Sequence, residues 1–129
     1  MNLTNPKDIK ALLARHGFHF SKSMGQNFLI EDWVPRDIAD AAELDKSCGV
    51  LEIGPGIGPL TVQLAQRAGK VAAVELDRAL LPILAETLAD CPNAQVIPGD
   101  VMKLDLNELV SEQFPGMPVK ACANLPYNI

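Results

Sequence analysis

The sequence has few of the residues that disulfide frameworks and metal sites need. It contains only three cysteines in 129 residues, and this odd number and their wide spacing fit neither paired disulfides nor a zinc site. Cys48, Cys91 and Cys122 are therefore expected to be buried thiols. The two histidines, His16 and His19, are too few and too isolated for a metal site, and no arrangement typical of nucleophilic catalysis is visible. The sequence predicts a protein without a metal.

Long apolar runs are also missing. No stretch approaches the roughly 18 apolar residues of a membrane span, and the N-terminus lacks the apolar core of a signal peptide. With 48% hydrophobic and only 5% aromatic residues, the composition is typical of one ordinary α/β domain with a real core. These features predict a cytoplasmic protein with no membrane partner.

Positive charge is scarce overall, since the net charge is −5, and charge alone does not favour nucleic-acid binding. The distribution is uneven, because residues 1–22 carry a net charge of +3 and the remainder −8. The charged residues of this segment are Lys7, Lys10, Arg15 and Lys22 against Asp8. The pattern fits either a basic arm that contacts phosphate or a solvated helix face.

Apolar periodicity predicts two helices within an N-terminal arm, residues 1–45. Asn5 and Pro6 suit the N-cap and first position of a helix that ends before Gly17, and helical spacing recurs from Trp33 to about Leu44. In residues 46–129, short apolar strands alternate with helical patterns. The predicted strands are Val50–Ile53, Val71–Val74, Gln95–Ile97 and Val119–Ala123, and the predicted helices are Leu60–Ala68, Leu80–Leu88 and Leu106–Val110. This alternation predicts a doubly wound parallel sheet that binds ligands at the carboxyl ends of its strands.

Glycines follow the first predicted strand at Gly54, Gly56 and Gly58, where they let the backbone turn and approach a ligand at a helix N-terminus. Pro59 stands where the dinucleotide fingerprint needs its third glycine, which makes a dinucleotide-dependent oxidoreductase the weaker alternative. Glu75 ends the next strand, where a carboxylate can bind both ribose hydroxyls of an adenosine ligand. The alternative for Glu75 is a solvated acid that caps the following helix.

Two other segments add to this site. Asp100 follows the third strand in a Gly-Asp pair that by itself indicates a turn; its carboxylate can accept a hydrogen bond from an adenine amine, with Val101 against the ring. Asn27 and Leu29 belong to a segment that is either the lead-in to a helix or a cover for the far end of a bound cofactor.

The residues Asn124, Leu125, Pro126 and Tyr127 follow the fourth predicted strand and suit methyl transfer to the exocyclic amine of a nucleobase. The Asn124 side-chain oxygen and the Leu125 carbonyl can accept the two amine hydrogens, because Pro126 restricts Leu125 to an extended conformation. Tyr127 can stack on the base. The tetrapeptide alone is more typical of a turn that ends a strand, and only the rest of the chain favours the chemical interpretation.

In this order, the segments at 25–29, 51–58, 74–77, 99–100 and 124–129 resemble the motifs of the KsgA family of small-subunit rRNA adenine dimethyltransferases. The resemblance implies a Rossmann-like methyltransferase fold and S-adenosylmethionine as the cofactor. It also implies that cofactor contacts come from Asn27, Leu29, Gly54, Glu75, Asp100 and Asn124, and that residues 124–127 hold the adenine. The implied partner is small-subunit rRNA in immature ribosomal subunits, and the implied role is ribosome biogenesis.

Members of that family continue with further strands and a helical C-terminal domain. By this comparison, the chain is expected to be an incomplete methyltransferase domain, truncated after about its fourth strand, inactive alone and prone to self-association through its exposed sheet edge. Two alternatives remain open at this point, namely a DNA adenine methyltransferase and a non-catalytic cofactor-binding or ribosome-assembly factor.

Overall fold

The first two helices of the computed structural model agree closely with the sequence pattern; the structure describes residues 1–18 and 28–123. Helix α1 spans Pro6–Arg15, and the Asn5 side chain caps it by accepting hydrogen bonds from two backbone N–H groups at 2.9 and 3.2 Å. Helix α2 spans Trp33–Ala41 and is shorter than predicted, because Glu43 takes a left-handed φ of 52° that ends the helical path.

Four parallel strands form one sheet in the order β3-β2-β1-β4. They are β1 (Gly49–Ile53), β2 (Lys70–Glu75), β3 (Ala94–Pro98) and β4 (Val119–Ala123), so every predicted strand is confirmed. Strands β2 and β4 lie on opposite sides of β1, so the direction of winding reverses at β1. In sheets of this kind, ligands bind beyond the carboxyl ends of the strands at this reversal.

Three helices connect the strands: α3 (Pro59–Arg67), α4 (Leu81–Thr87) and α5 (Leu106–Gln113). A 3₁₀ turn, Arg78–Leu80, precedes α4. The pattern predicts one helix from Leu80, but the chain starts to coil earlier because the Asp77 carboxylate accepts a hydrogen bond from the Ala79 backbone N–H at 2.9 Å. The side chain of Asp77 thus sets the start of this element.

Helices cover both faces of the sheet, which confirms the predicted doubly wound arrangement. On one face, Val50 and Val71 pack with side chains of α2 and α3, next to a second cluster from α1 and α4. On the other face, Leu51 and Ala72 pack against Phe114 and the side chains of α5. Successive residues of a strand point to opposite faces of the sheet. Neighbouring residues of β1 and β2 therefore pack against helices on opposite sides.

The prediction that all three cysteines are buried needs correction. Cys48 is buried as expected, but Cys91 and Cys122 are only half-buried, since one lies in the turn after α4 and the other in a strand at the side of the described sheet. In the basic segment, the Arg15 guanidinium forms an ion pair at 2.5 Å with Glu86 of α4. None of the helices that the structure describes is long and apolar enough to cross a membrane.

Candidate functional site

The carboxyl ends of β1, β2 and β3 meet at one edge of the sheet and are joined by backbone hydrogen bonds. The Gly54 N–H donates to the Val74 carbonyl at 3.0 Å, and the Gly99 N–H donates to the Glu75 carbonyl at 2.9 Å. The structure therefore brings together five of the predicted site residues: Gly54, Gly56, Glu75, Asp100 and Val101.

The glycine loop between β1 and α3 has the backbone that the sequence predicts. Gly54, Gly56 and Gly58 have φ values of 68°, 61° and 101°, which residues with side chains rarely adopt. Gly58 is the N-cap of α3, and its N–H donates to the Pro55 carbonyl at 2.9 Å. A Cβ at Gly54 would meet no atom within 4 Å, so open space lies beside the loop. A ligand can approach this part of the backbone closely.

Glu75 is buried at the end of β2, with 6% of its surface exposed. One carboxylate oxygen accepts from the Gly56 N–H at 3.3 Å and the other from the Asp77 N–H at 2.9 Å. These bonds fix the carboxylate beside the glycine loop, and each oxygen retains a free lone pair for a hydroxyl donor. The alternative role as a helix cap belongs to Asp77, whereas Glu75 remains a candidate ligand.

Asp100 lies in the turn that follows β3, as the Gly-Asp pair indicates. Its carboxylate accepts from the Met102 N–H at 2.9 Å, and its carbonyl accepts from the Lys103 and Leu104 N–H groups. Val101 is half-buried and packs against the cluster that α5 forms with the sheet. The carboxylate of Asp100 therefore stands at the same edge as Glu75, held by its own turn.

The segment after residue 27 also reaches the glycine loop. A Cβ placed on Gly56 would lie 3.8 Å from the ring of Phe28, so this ring lies beside the loop. Leu29 is 43% exposed. Asn27, the other candidate contact here, lies outside the described residues. The start of this segment therefore lies beside the glycine loop.

The proposed target-base residues Asn124, Leu125, Pro126 and Tyr127 also lie outside the described part of the chain. Ala123, the last described residue, pairs with Ile53, so β4 ends at the same edge as β1.

Sequence reasoning assigned no role to a buried polar pair beneath the glycine loop. Glu52 in β1 is 2% exposed, and its carboxylate accepts a hydrogen bond from the hydroxyl of Thr61, which is fully buried in α3. Burial raises the pKa of Glu52 to about 7; the Thr61 hydrogen bond opposes this shift, and the charge of Glu75 adds to it. The only signal in the sequence is a carboxylate inside an otherwise apolar strand.

A parallel sheet wound in this order, with a glycine loop after β1 and a buried acid at the end of β2, is a Rossmann-like α/β fold of the methyltransferase type. The sequence model of the family described as ribosomal RNA adenine dimethylase matches residues 17–129. The chain therefore belongs to the ribosomal RNA adenine dimethylase family. This membership decides against the dinucleotide-dependent oxidoreductase.

Curated relatives and solved structures agree with the family. The chain is 50% identical over 127 residues to ribosomal RNA small subunit methyltransferase A of Alkaliphilus metalliredigens (strain QYMF), covering 98% of this chain and 44% of that protein. The protein of the same name from Listeria monocytogenes serotype 4a (strain HCC23) is 49% identical over 130 residues, covering 99% and 44%. The chain thus spans less than half the length of these relatives.

Two solved structures share the fold at appreciable identity. The 23S rRNA methyltransferase ErmE aligns with a TM-score of 0.64 and 34% identity, covering 78% of this chain and 38% of that one. A dimethyladenosine transferase from Plasmodium falciparum aligns with a TM-score of 0.58 and 33% identity, covering 74% and 32%. Among the described residues, no group of three or more His, Cys, Asp or Glu side chains could hold a metal ion.

Proposed function

We propose that the chain is the cofactor-binding part of an enzyme that dimethylates adenosines of small-subunit rRNA with S-adenosylmethionine. The observation that carries the proposal is the buried carboxylate of Glu75, held by two backbone N–H groups beside an open glycine loop at the sheet's carboxyl edge. Family membership and the names of the curated relatives support the reaction and the RNA substrate. Residues 1–45 serve as a helical arm of the domain, and residues 46–129 form its strand-helix repeats.

The described residues fit an adenosine-containing cofactor. Glu75 accepts hydrogen bonds from the ribose hydroxyls, Gly54 and Gly56 let the backbone approach, and Asp100 accepts from the adenine amine with Val101 against the ring. Leu29 and Asn27 contact the cofactor from the segment that brings Phe28 to the loop. Bound S-adenosylmethionine supplies a methyl group that its sulfonium already activates.

The target amine is held by the residues that follow β4. Asn124 contacts the cofactor and, together with the Leu125 carbonyl, accepts the hydrogens of the amine, so that the nitrogen lone pair is released from the ring. Pro126 sets the direction of that carbonyl, and Tyr127 stacks on the adenine. The protein thus contributes alignment, polar acceptors and exclusion of water, with no metal and no covalent intermediate.

The partners follow from the reaction and from the sheet. The substrate is small-subunit rRNA within immature ribosomal subunits in the cytoplasm. A second partner is another copy of this chain, because β4 pairs with β1 on one side and the described residues place no strand on its other side. An open strand edge presents unpaired backbone groups that recruit another edge.

Cofactor binding is tested with a Glu75→Ala variant of this chain. Loss of paired hydrogen bonds to a charged acceptor costs about 1.5–3 kcal/mol, so S-adenosylmethionine affinity in calorimetry should fall roughly 10- to 150-fold. Glu112→Ala removes the same side chain from an exposed position in α5 and should leave the affinity unchanged. Circular dichroism shows whether both variants keep their helix content. An unchanged affinity for Glu75→Ala would remove this residue from the site.

The reaction is tested with a protein of full family length that contains this chain. Tritiated methyl groups from S-adenosylmethionine should appear on adenosines of immature small subunits, and not on duplex DNA. Transfer to DNA alone would establish the DNA adenine methyltransferase instead. Cofactor binding with transfer to neither substrate would establish the non-catalytic binding factor.

A further inference from the structure

Glu52 is a second buried carboxylate at the carboxyl edge of the sheet, next to Glu75. It lies opposite Ala73 in the β1–β2 register, and Glu75 stands two residues further along β2 on the same face. Both side chains are buried, with 2% and 6% exposure. No basic side chain in the described part of the chain forms an ion pair with Glu52. Two carboxylates thus share one poorly solvated region, and neither has an ion-pair partner among the described residues.

The groups that face Glu52 come from three elements. Thr61 of α3 donates a hydrogen bond to its carboxylate but carries no charge. Glu75 of β2 and Cys122 of β4 are the titratable groups that interact with it, and Cys122 stands opposite Glu52 in the β1–β4 register. Burial also raises the pKa of the Cys122 thiol, and the charge of Glu52 raises it further, so this thiol is neutral around pH 7. Among the described residues that interact with Glu52 here, Glu75 is then the one that contributes charge near pH 7.

Burial and the charge of Glu75 raise the pKa of Glu52 to about 7. Its carboxyl is therefore divided between protonated and ionised forms at neutral pH. A cation that enters the region favours the ionised form and lowers this pKa, whereas a neutral ligand does so much less. S-adenosylmethionine carries one net positive charge, and S-adenosylhomocysteine, its product after methyl transfer, carries none.

We propose that Glu52 is a specificity residue that discriminates between the cofactor and its demethylated product by releasing a proton when the cationic ligand binds. The inference rests on the proposed function, because it requires this edge of the sheet to bind S-adenosylmethionine. Loss of the methyl group removes the sulfonium charge and so removes the reason for Glu52 to remain ionised. Glu52 is then reprotonated while the product is bound. The product binds more weakly than the cofactor, and this weaker binding helps it to leave.

Calorimetry in two buffers of different ionisation enthalpy, both at about pH 7, measures the protons released on binding of each ligand. If S-adenosylmethionine lowers the pKa of Glu52 by one unit, about 0.4 proton is released. S-adenosylhomocysteine should release clearly fewer. Both ligands carry the same amino and carboxylate groups, so the difference between them isolates the sulfonium charge.

Two variants test whether the proton released on cofactor binding comes from Glu52. Glu52→Gln should abolish the difference between the ligands, whereas Glu112→Gln, an exposed control in α5, should retain it. Thr61→Val removes the hydrogen bond that lowers the pKa of Glu52, so the pH of maximal proton release with S-adenosylmethionine should move upward.

The outcomes separate this inference from the proposed function. If neither ligand binds the unmodified chain, the proposed function fails and the inference fails with it. If both bind but release equal numbers of protons, or if Glu52→Gln retains the difference, the inference is overturned and cofactor binding stands. If Glu52→Gln does not fold, the Thr61→Val measurement decides, and an unmoved pH of maximal release overturns the inference.

Discussion

Replacing Glu52 by Gln should remove a pH dependence of stability that the buried carboxyl imposes on the whole fold. The pKa of this group is about 7 in the folded chain and 4.5 for an ordinary glutamate, and its side chain is only 2% exposed. Between these two values the folded state keeps a proton that the unfolded state has already lost. The free energy of unfolding therefore falls as the pH rises from about 4.5 to 7, and it levels off above 7.

The magnitude follows from the size of the shift. The difference of 2.5 between these pKa values corresponds to about 3 kcal/mol in total. Of this, about 2–3 kcal/mol should appear between pH 5 and pH 8. The shifted groups elsewhere act outside this window. The pKa of Asp45 and of Glu86 is lowered by hydrogen bonds, so their effects lie at acid pH, and the raised pKa values of Cys91 and Cys122 lie above 9.

Urea unfolding at four or five pH values from about 5 to 8 measures this slope. The unmodified chain and Glu112→Gln should lose stability together across the range. Glu52→Gln should lose about 2–3 kcal/mol less, because its amide keeps the oxygen that accepts from Thr61 but cannot ionise. The absolute free energy of unfolding of Glu52→Gln also depends on whether its buried amide N–H groups find hydrogen-bond acceptors. The quantity to compare is therefore the change in the free energy of unfolding with pH.

A Glu52→Gln variant whose stability falls with pH as steeply as that of Glu112→Gln would refute the reasoning. It would show that the carboxyl of Glu52 is ionised in the folded chain at all these pH values, through solvent or a countercharge that reaches it. The comparison is internal, since every other titrating group is common to the two variants.

Three further predictions concern catalysis and association. In steady-state kinetics of a protein of full family length, Asn124→Ala should lower turnover far more than it weakens cofactor binding, and equal losses in both would refute its role. Tyr127→Phe should reduce turnover mildly and Tyr127→Ala severely, because stacking uses the ring; the reverse order would refute the role of Tyr127. This chain should self-associate through the edge of β4, and sedimentation of a compact monomer at tens of micromolar would contradict that.

The pattern of apolar residues determined most of the secondary structure and its order. All four strands are where short apolar runs stand between helical patterns, because helices on both faces of a sheet favour apolar side chains on both sides of its strands. The sequence also indicated Gly54 and Glu75 as neighbours in a site, since parallel strands bring their carboxyl ends to one edge. Hydrogen bonds from side chains to the local backbone were harder to predict. The periodicity placed the start of the helix at Leu80, whereas the bond to the Asp77 carboxylate starts a 3₁₀ turn at Arg78.

Tertiary structure alone decided the relation between Glu52 and its neighbours. In the sequence, Glu52 is one acid in an apolar strand, and Thr61 is one hydroxyl in an amphipathic helix, nine residues apart. Only the packing of α3 on β1 joins them, and only the register of β2 sets Glu75 on the same face. A pKa depends on desolvation and on charges within a few ångströms, and these distances are fixed by the folded chain and not by spacing along it.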